Sequence, residues 1–244
     1  MNKKIEQIEK LVLKLNSLRP FTSGELQRLN EEFVIEYTYD SNAIEGSTLT
    51  LDETALVLKE NITIGEKPLN DHLAAIGHKE AYFYVEELVK NKEPLNENQI
   101  LDIHSLVLMD RPQDKGKYRN LPVRIMGTSA ILSEPYMIKK HMEELLEWYH
   151  SESDLNLLEK LTLLHLKFET IHPFIDGNGR TGRLILNLEL MKNSFVPINI
   201  KNKDKRRYYD AFKAYNEFNN YELMVDLICD YLIEEITRFI EIKE

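Results

Sequence analysis

Few places in this chain can stop a helix. Nine glycines and eight prolines are spread over 244 residues, so long stretches run without a breaker, and a mostly helical fold follows. Within those stretches apolar residues recur at helical spacing. Ile5, Ile8, Leu11, Val12 and Leu15 mark one amphipathic segment over 4–18, ending near Arg19-Pro20. Leu26, Leu29, Phe33, Tyr37 and Ile44 mark a second. It opens on a capping box, Thr22 with Glu25, and stops at Gly46. Thr50 with Glu53 opens a third, and Asn96 is the N-cap of NENQILDIHSLVLMD.

The texture changes only at RPQDKGKYRNLPVRIMGTSAILSEP, where short apolar runs flank a Gly-Thr-Ser turn and a β-hairpin is expected over 118–133. Helical patterns resume with YMIKKHMEELLEWYH, LNLLEKLTLLHLKFETI and TGRLILNLELMKN, then KRRYYDAFKAYNEF and YELMVDLICDYLIEEITRFIE. With no repeat or flexible linker, the reading is all-α with one small hairpin. Residues 1–60 form an N-terminal helical extension, and 61–244 carry the main domain. A net charge of −10 disfavours nucleic acid and anionic membranes as partners. Cys229 is the single cysteine, so no internal disulfide can form. The N-terminus lacks a continuous apolar h-region, and no stretch suits a membrane span, so a cytoplasmic protein is expected.

Chemistry concentrates in residues 172–183, HPFIDGNGRTGR, between two apolar helices. Pro173 biases His172 away from the helical region, which should end the preceding helix there. Gly177-Asn178-Gly179 form a tight loop before the next helix, where unpaired N–H groups and the helix dipole attract an anion. Arg180 and Arg183, three apart, share a face of its first turn, although that end of a helix favours acidic groups. Asp176 adds a hard oxygen ligand of the kind Mg²⁺ takes beside phosphates, and His172 is a candidate general base, with an ordinary pKa of about 6.5. A lone His before Pro, a GNG turn or two helical arginines are each commonly structural. Together they describe a polyphosphate site. A metal site of His165, His172 and Asp176 and a non-catalytic nucleotide-binding regulatory module are the rival readings.

HPFIDGNGRTGR resembles the full signature of the Fic (filamentation induced by cAMP) family, HPFx[DE]GNGRxxR, and the likeness extends over approximately residues 70–230. The resemblance implies transfer of AMP from ATP to a Ser, Thr or Tyr hydroxyl of a protein target, including this protein itself. His172 would deprotonate the hydroxyl and Asp176 would hold Mg²⁺. Gly177, Asn178 and Gly179 would cradle the phosphates, with Asn178 orienting the α-phosphate. Arg180 and Arg183 would compensate the β- and γ-phosphates. RRYYDAFKAYN resembles the adenosine-side segment, which places Tyr208, Tyr209, Phe212 and Asn216 around base and ribose, Phe212 being equally suited to the core. The hairpin resembles the target-holding flap, with Ile125 or Met126 as clamp. Removal of AMP, or transfer of another nucleotidyl or phosphoryl group, remains open, as does a homodimer.

SNAIEG, residues 41–46, resembles the family's inhibitory motif, (S/T)xxxE(G/N), in the class with an N-terminal inhibitory helix. Ser41, Glu45 and Gly46 fill its fixed positions, and Glu45 would pair with Arg183. A carboxylate at a helix C-terminus and a guanidinium at a helix N-terminus, each mismatched alone, then match as a pair. A bidentate, partly buried pairing is the form strong enough to hold an enzyme off.

Overall fold

The computed structural model describes residues 3–124 and 132–244. Over these residues it is all-α, with ten α-helices: α1 (Lys3–Ser17), α2 (Ser23–Ile44), α3 (Leu51–Glu60), α4 (Leu69–Asn91), α5 (Glu97–Val107), α6 (Ile138–His150), α7 (Leu157–Ile171), α8 (Asn178–Lys192), α9 (Lys205–Phe218) and α10 (Glu222–Lys243). The capping boxes at Thr22/Glu25, Thr50/Glu53 and Asn96/Gln99 are all formed. Each satisfies two backbone donors that would otherwise lack partners at a helix start. α2 stops with Glu45 as its C-cap and Gly46 at φ +100°, a conformation that costs glycine little.

The middle of the expected hairpin, residues 125–131 with Ile125 and Met126, lies outside the described residues. Its described flanks form no strand and are tied to each other by Arg119, which donates to the carbonyls of Leu121 at 2.9 Å and Ser133 at 2.6 Å.

α7 and α8 serve two cores at once. Leu161, Leu166, Leu186 and Leu190 pack with α1 and α10, whereas Leu164, Phe168, Leu184 and Leu188 pack with α2, α4, α5 and α6. Both helices therefore carry apolar residues on more than one face, and the polar residues of α8, Arg180, Arg183 and Asn187, are buried as well. Residues of the first 60 join these cores, Ile5, Ile8 and Ile44 in the first and Phe33, Val34 and Tyr37 in the second, while Leu49, Val57 and Leu58 form a small third cluster with Ala75 of α4. The register of α2 is fixed further by buried Asp40, which accepts from Asn199 Nδ2 and from the N–H of Asn202, both at 2.8 Å. This brings the last turn of α2 against the first turn of α8.

Candidate active site

The turn from α7 into α8 is built by short local bonds. His172 caps α7, its N–H donating to the Phe168 carbonyl at 3.0 Å. Pro173 keeps it out of the right-handed region, as the sequence implies, but it takes the left-handed one (φ 50°, ψ 60°) rather than extended backbone. The reversal into α8 demands that sharper bend. Asn178, 2% exposed, accepts the Phe174 N–H at 2.9 Å and donates to the Phe174 carbonyl at 2.8 Å. Both ends of its amide are therefore engaged, and the residue expected to orient a phosphate instead clasps the turn.

His104 of α5 holds the turn from below. Its Nδ1 accepts the Gly116 N–H at 2.9 Å, which leaves Nε2 to donate to the Asp176 carbonyl at 3.0 Å. The ring stacks on Phe174 at 3.6 Å, and burial holds its pKa down to about 4, consistent with one neutral tautomer. Gly177 then enters α8 at φ +77°, and the N-terminus of α8 has no side-chain cap. Its first N–H groups remain open for an anion.

The acidic group already beside them is Glu45. A Cβ on Gly179 would collide with Glu45 Oε1, so the carboxylate lies directly on the first turn of α8. Arg183, 2% exposed, donates from Nη2 to Glu45 Oε1 at 2.8 Å and to the Ser41 carbonyl at 2.8 Å, and from Nε to Ser41 Oγ at 3.1 Å. The pairing is thus through one oxygen, not the expected two. Ser41 fills the other edge of the guanidinium, and Nη1 is buried without a partner. Burial opposes the charge of Arg183, but Glu45, with Tyr208 and Tyr37, more than offsets it and the pKa is raised.

Arg180, 7% exposed, approaches Asp176 Oδ1 at 3.6 Å. Asp176 is more open, its side chain 42% exposed; Oδ2 meets Arg111 at 3.0 Å and Oδ1 accepts the Gly177 N–H at 2.6 Å. One carboxylate at the rim of an anion site suits Mg²⁺, which takes one or two protein carboxylates plus phosphate and water. His172, by contrast, is pulled below its ordinary value to about 4, chiefly by burial, against a smaller upward pull from the Glu169 backbone. It is neutral near pH 7.

The adenosine-side residues divide. Tyr208 is 1% exposed, its hydroxyl 2.8 Å from His165 Nε2 and its ring 5.7 Å from the Arg183 guanidinium. It underpins Arg183 and is closed to a base. That contact also takes His165 away from the rival metal set, and no three His, Cys, Asp or Glu converge among the described residues. Phe212 packs against the α10 core. Tyr209 is 43% exposed and donates to the Ile44 carbonyl at 3.4 Å, while exposed Asn216 accepts the Thr170 hydroxyl at 3.0 Å. Beside them a groove of about 540 Å³ opens between Ser133, Met137, Trp148, Thr170 and Tyr215.

Residues 94–190, which include the whole turn, match the Fic/DOC family. The chain is 32% identical over 217 residues to a protein adenylyltransferase Fic of Nematostella vectensis, an alignment covering 86% of this chain and 50% of that one. The chain belongs to the Fic/DOC family. It is also 30% identical over 219 residues to the protein adenylyltransferase fic-1 of Caenorhabditis elegans, covering 88% of this Fic chain and 42% of that one. This chain therefore spans about half the length, or less, of these curated relatives. Among solved structures, a Fic-domain signalling protein of Bacteroides thetaiotaomicron superposes with a TM-score of 0.87 at 29% identity, covering 97% of both chains. Fic-1 of C. elegans superposes with a TM-score of 0.88 at 28% identity, covering 98% of this chain and 71% of that one.

Three residues of this Fic site escape sequence reasoning: His104, Arg119 and Glu169. Arg119, 5% exposed, donates from Nε to the His172 carbonyl at 2.8 Å, linking the hairpin flanks to the motif. Glu169 was detectable as the one acidic residue of α7 beyond its first turn, where Glu159 belongs to the cap.

Proposed function

We propose that this chain transfers AMP from ATP to a Ser, Thr or Tyr hydroxyl of a protein, and that Glu45 restrains it. The observation that carries this reading is the uncapped, glycine-entered start of α8, with two buried guanidiniums on one face and a neutral imidazole beside it. The relatives named protein adenylyltransferase support the reaction. The acceptor oxygen attacks the α-phosphorus, the bond to the β-phosphate oxygen breaks, and pyrophosphate leaves. His172 takes the hydroxyl proton. A triphosphate brought alongside raises the basicity of this imidazole by placing negative charge near it. Asp176 would hold Mg²⁺, which supplies neutralising charge on the phosphates. The open N–H groups of α8 and Arg180 stabilise the charge that develops on transfer. Asn216 and the groove beside Thr170 support an adenosine position on that side.

Restraint rests on Glu45 occupying the anion position on α8 that a terminal phosphate needs. With Arg183 engaged and a carboxylate in place, ATP would be held in a pose unfit for transfer. The net charge of −10 supports a protein target over nucleic acid. A single buried cysteine supports a reducing compartment such as the cytoplasm. No helix among the described residues is long and apolar enough to cross a membrane.

The test is Glu45→Gly against wild type, each incubated with ATP and Mg²⁺ and followed by intact mass. The variant gains AMP adducts, on itself or a target, well above wild type, and His172→Ala abolishes them in both backgrounds. Equal incorporation by wild type and Glu45→Gly would remove the restraint, and incorporation that survives His172→Ala would remove the assigned base.

A further inference from the structure

Glu169 takes no part in the reaction as written, yet it lies at the centre of the site. It projects from α7, three residues before His172, toward α8. A Cβ on Gly182 would collide with its Oε1, so the carboxyl rests on the α8 backbone one residue before Arg183. That oxygen is buried with no hydrogen-bond partner, and so is Arg183 Nη1. An orphaned carboxyl oxygen and an orphaned guanidinium nitrogen beside one stretch of α8 are complementary groups left unjoined. Glu45 and Ser41 hold the rest of the guanidinium. Should Glu45 leave, Arg183 at 2% exposure has no solvent to replace the lost counter-charge.

We propose that Glu169 is a positioning residue for Arg183, an internal carboxyl that takes over the guanidinium when Glu45 withdraws and yields it when another anion arrives. The groups facing it are Arg183 from α8, Glu45 from the end of α2, Tyr208 and Tyr209 from α9, and His165 from its own helix. While Glu45 is in place, burial raises the Glu169 carboxyl to about 8, with Arg183 opposing and Glu45 adding to the rise. Glu169 then carries a proton at neutral pH, and Arg183 has one anion beside it rather than two. Removing Glu45 takes away one of the two raising influences and leaves Arg183 opposed by burial alone, so the proton affinity of Glu169 falls and proton is released to solvent. An incoming phosphate restores negative charge near Arg183, and proton returns from solvent. Each exchange of anion at Arg183 is thereby coupled to the proton occupancy of Glu169. The phosphate step rests on the function proposed above; the Glu45 step does not.

Two measurements on the full chain separate these steps. In the first, carboxyl carbons of glutamate are titrated by NMR without nucleotide. Wild type shows one glutamate titrating near 8, assigned by its loss in Glu169→Gln, and Glu45→Gly moves it down by about one unit or more, tenfold in proton affinity. Because glutamine mimics the protonated acid in shape and charge, Glu169→Gln in the wild-type background keeps its fold and its neutral-pH stability. In the second, calorimetry of Mg-ATP binding to Glu45→Gly in buffers of different ionisation enthalpy reads proton uptake, which Glu169→Gln abolishes and His172→Ala leaves in place. An unchanged Glu169 titration in Glu45→Gly overturns the proposal, as does proton uptake that survives Glu169→Gln. If Mg-ATP fails to bind, the nucleotide reading and the phosphate step fall together, while the first measurement still decides the exchange between Glu45 and Glu169.

Discussion

Arg119 holds His172 by the backbone: its Nε donates to the His172 carbonyl at 2.8 Å, while Nη2 reaches the Ser133 carbonyl at 2.6 Å. One guanidinium therefore holds both the proposed base and the flank of the segment expected to present the target. Arg119→Gln should strip three buried or half-buried carbonyls of their donor. The expected cost is about 2–4 kcal/mol in urea denaturation, with AMP transfer by the Glu45→Gly background falling roughly tenfold or more, since misplacing a reacting group by about 1 Å can cost more than that. Unchanged transfer would separate the flank from the chemistry.

Ser41 shares the guanidinium of Arg183 with Glu45, giving a hydroxyl contact at 3.1 Å and a carbonyl contact at 2.8 Å. Ser41→Ala removes only the hydroxyl. A hydrogen bond to a charged group contributes about 1.5–3 kcal/mol, part of which the remaining carbonyl retains. AMP incorporation should therefore settle between wild type and Glu45→Gly, a rise of roughly threefold to tenfold read by adduct mass.

Stability should depend on pH on both sides of neutrality. His104 and His172 are held to about 4 and His165 to about 3, in each case chiefly by burial. Once unfolded, each takes a proton near 6.5. Their contribution is complete above about 6.5 and is lost as pH falls toward 4, up to roughly 3 kcal/mol for each. Glu169 has the opposite sign. Raised to about 8 from 4.5, it favours the fold at low pH and withdraws that support as pH climbs through 8. The urea midpoint should fall from pH 6.5 to 4 and more gently from 6.5 toward 8; because Glu169 loses its support across 4.5 to 8, Glu169→Gln should flatten the alkaline side and steepen the fall between 6.5 and 4.5.

At Gly182, α8 lies directly against side chains of α7. A Cβ there would strike Glu169 Oε1 and lie 3.2 Å from His165 Cε1 and Nδ1. Gly182→Ala should destabilise by about 1–3 kcal/mol through overpacking. Gly24, in the first turn of α2 with nothing within 4 Å, is the internal comparison: Gly24→Ala should be neutral or stabilise by up to about 1 kcal/mol. Thermal melts of the two variants check the contrast.

Whatever depends on residues a few positions apart was readable in advance. Thr22 with Glu25, Thr50 with Glu53, and Asn96 as an N-cap were legible because a cap is closed within one turn; that Gln99 completes a box with Asn96 is added by the structure. The segments flanking 172–183 were legible as apolar helices, and the motif between them marked the family. The environment of most groups was not readable. The motif resemblance joined Glu45 to Arg183 across 138 positions, but nothing signalled that Ser41 would hold the same guanidinium across 142, or that Arg119 would meet His172 across 53. Asn178 and Tyr208 carry the residue types a nucleotide site would use, yet packing turned one onto Phe174 and the other beneath Arg183. Periodicity reports which face of a helix leaves water, because that is a property of the helix alone. Which partner a buried polar group finds there, and therefore whether it is charged, is decided by elements that only folding brings together.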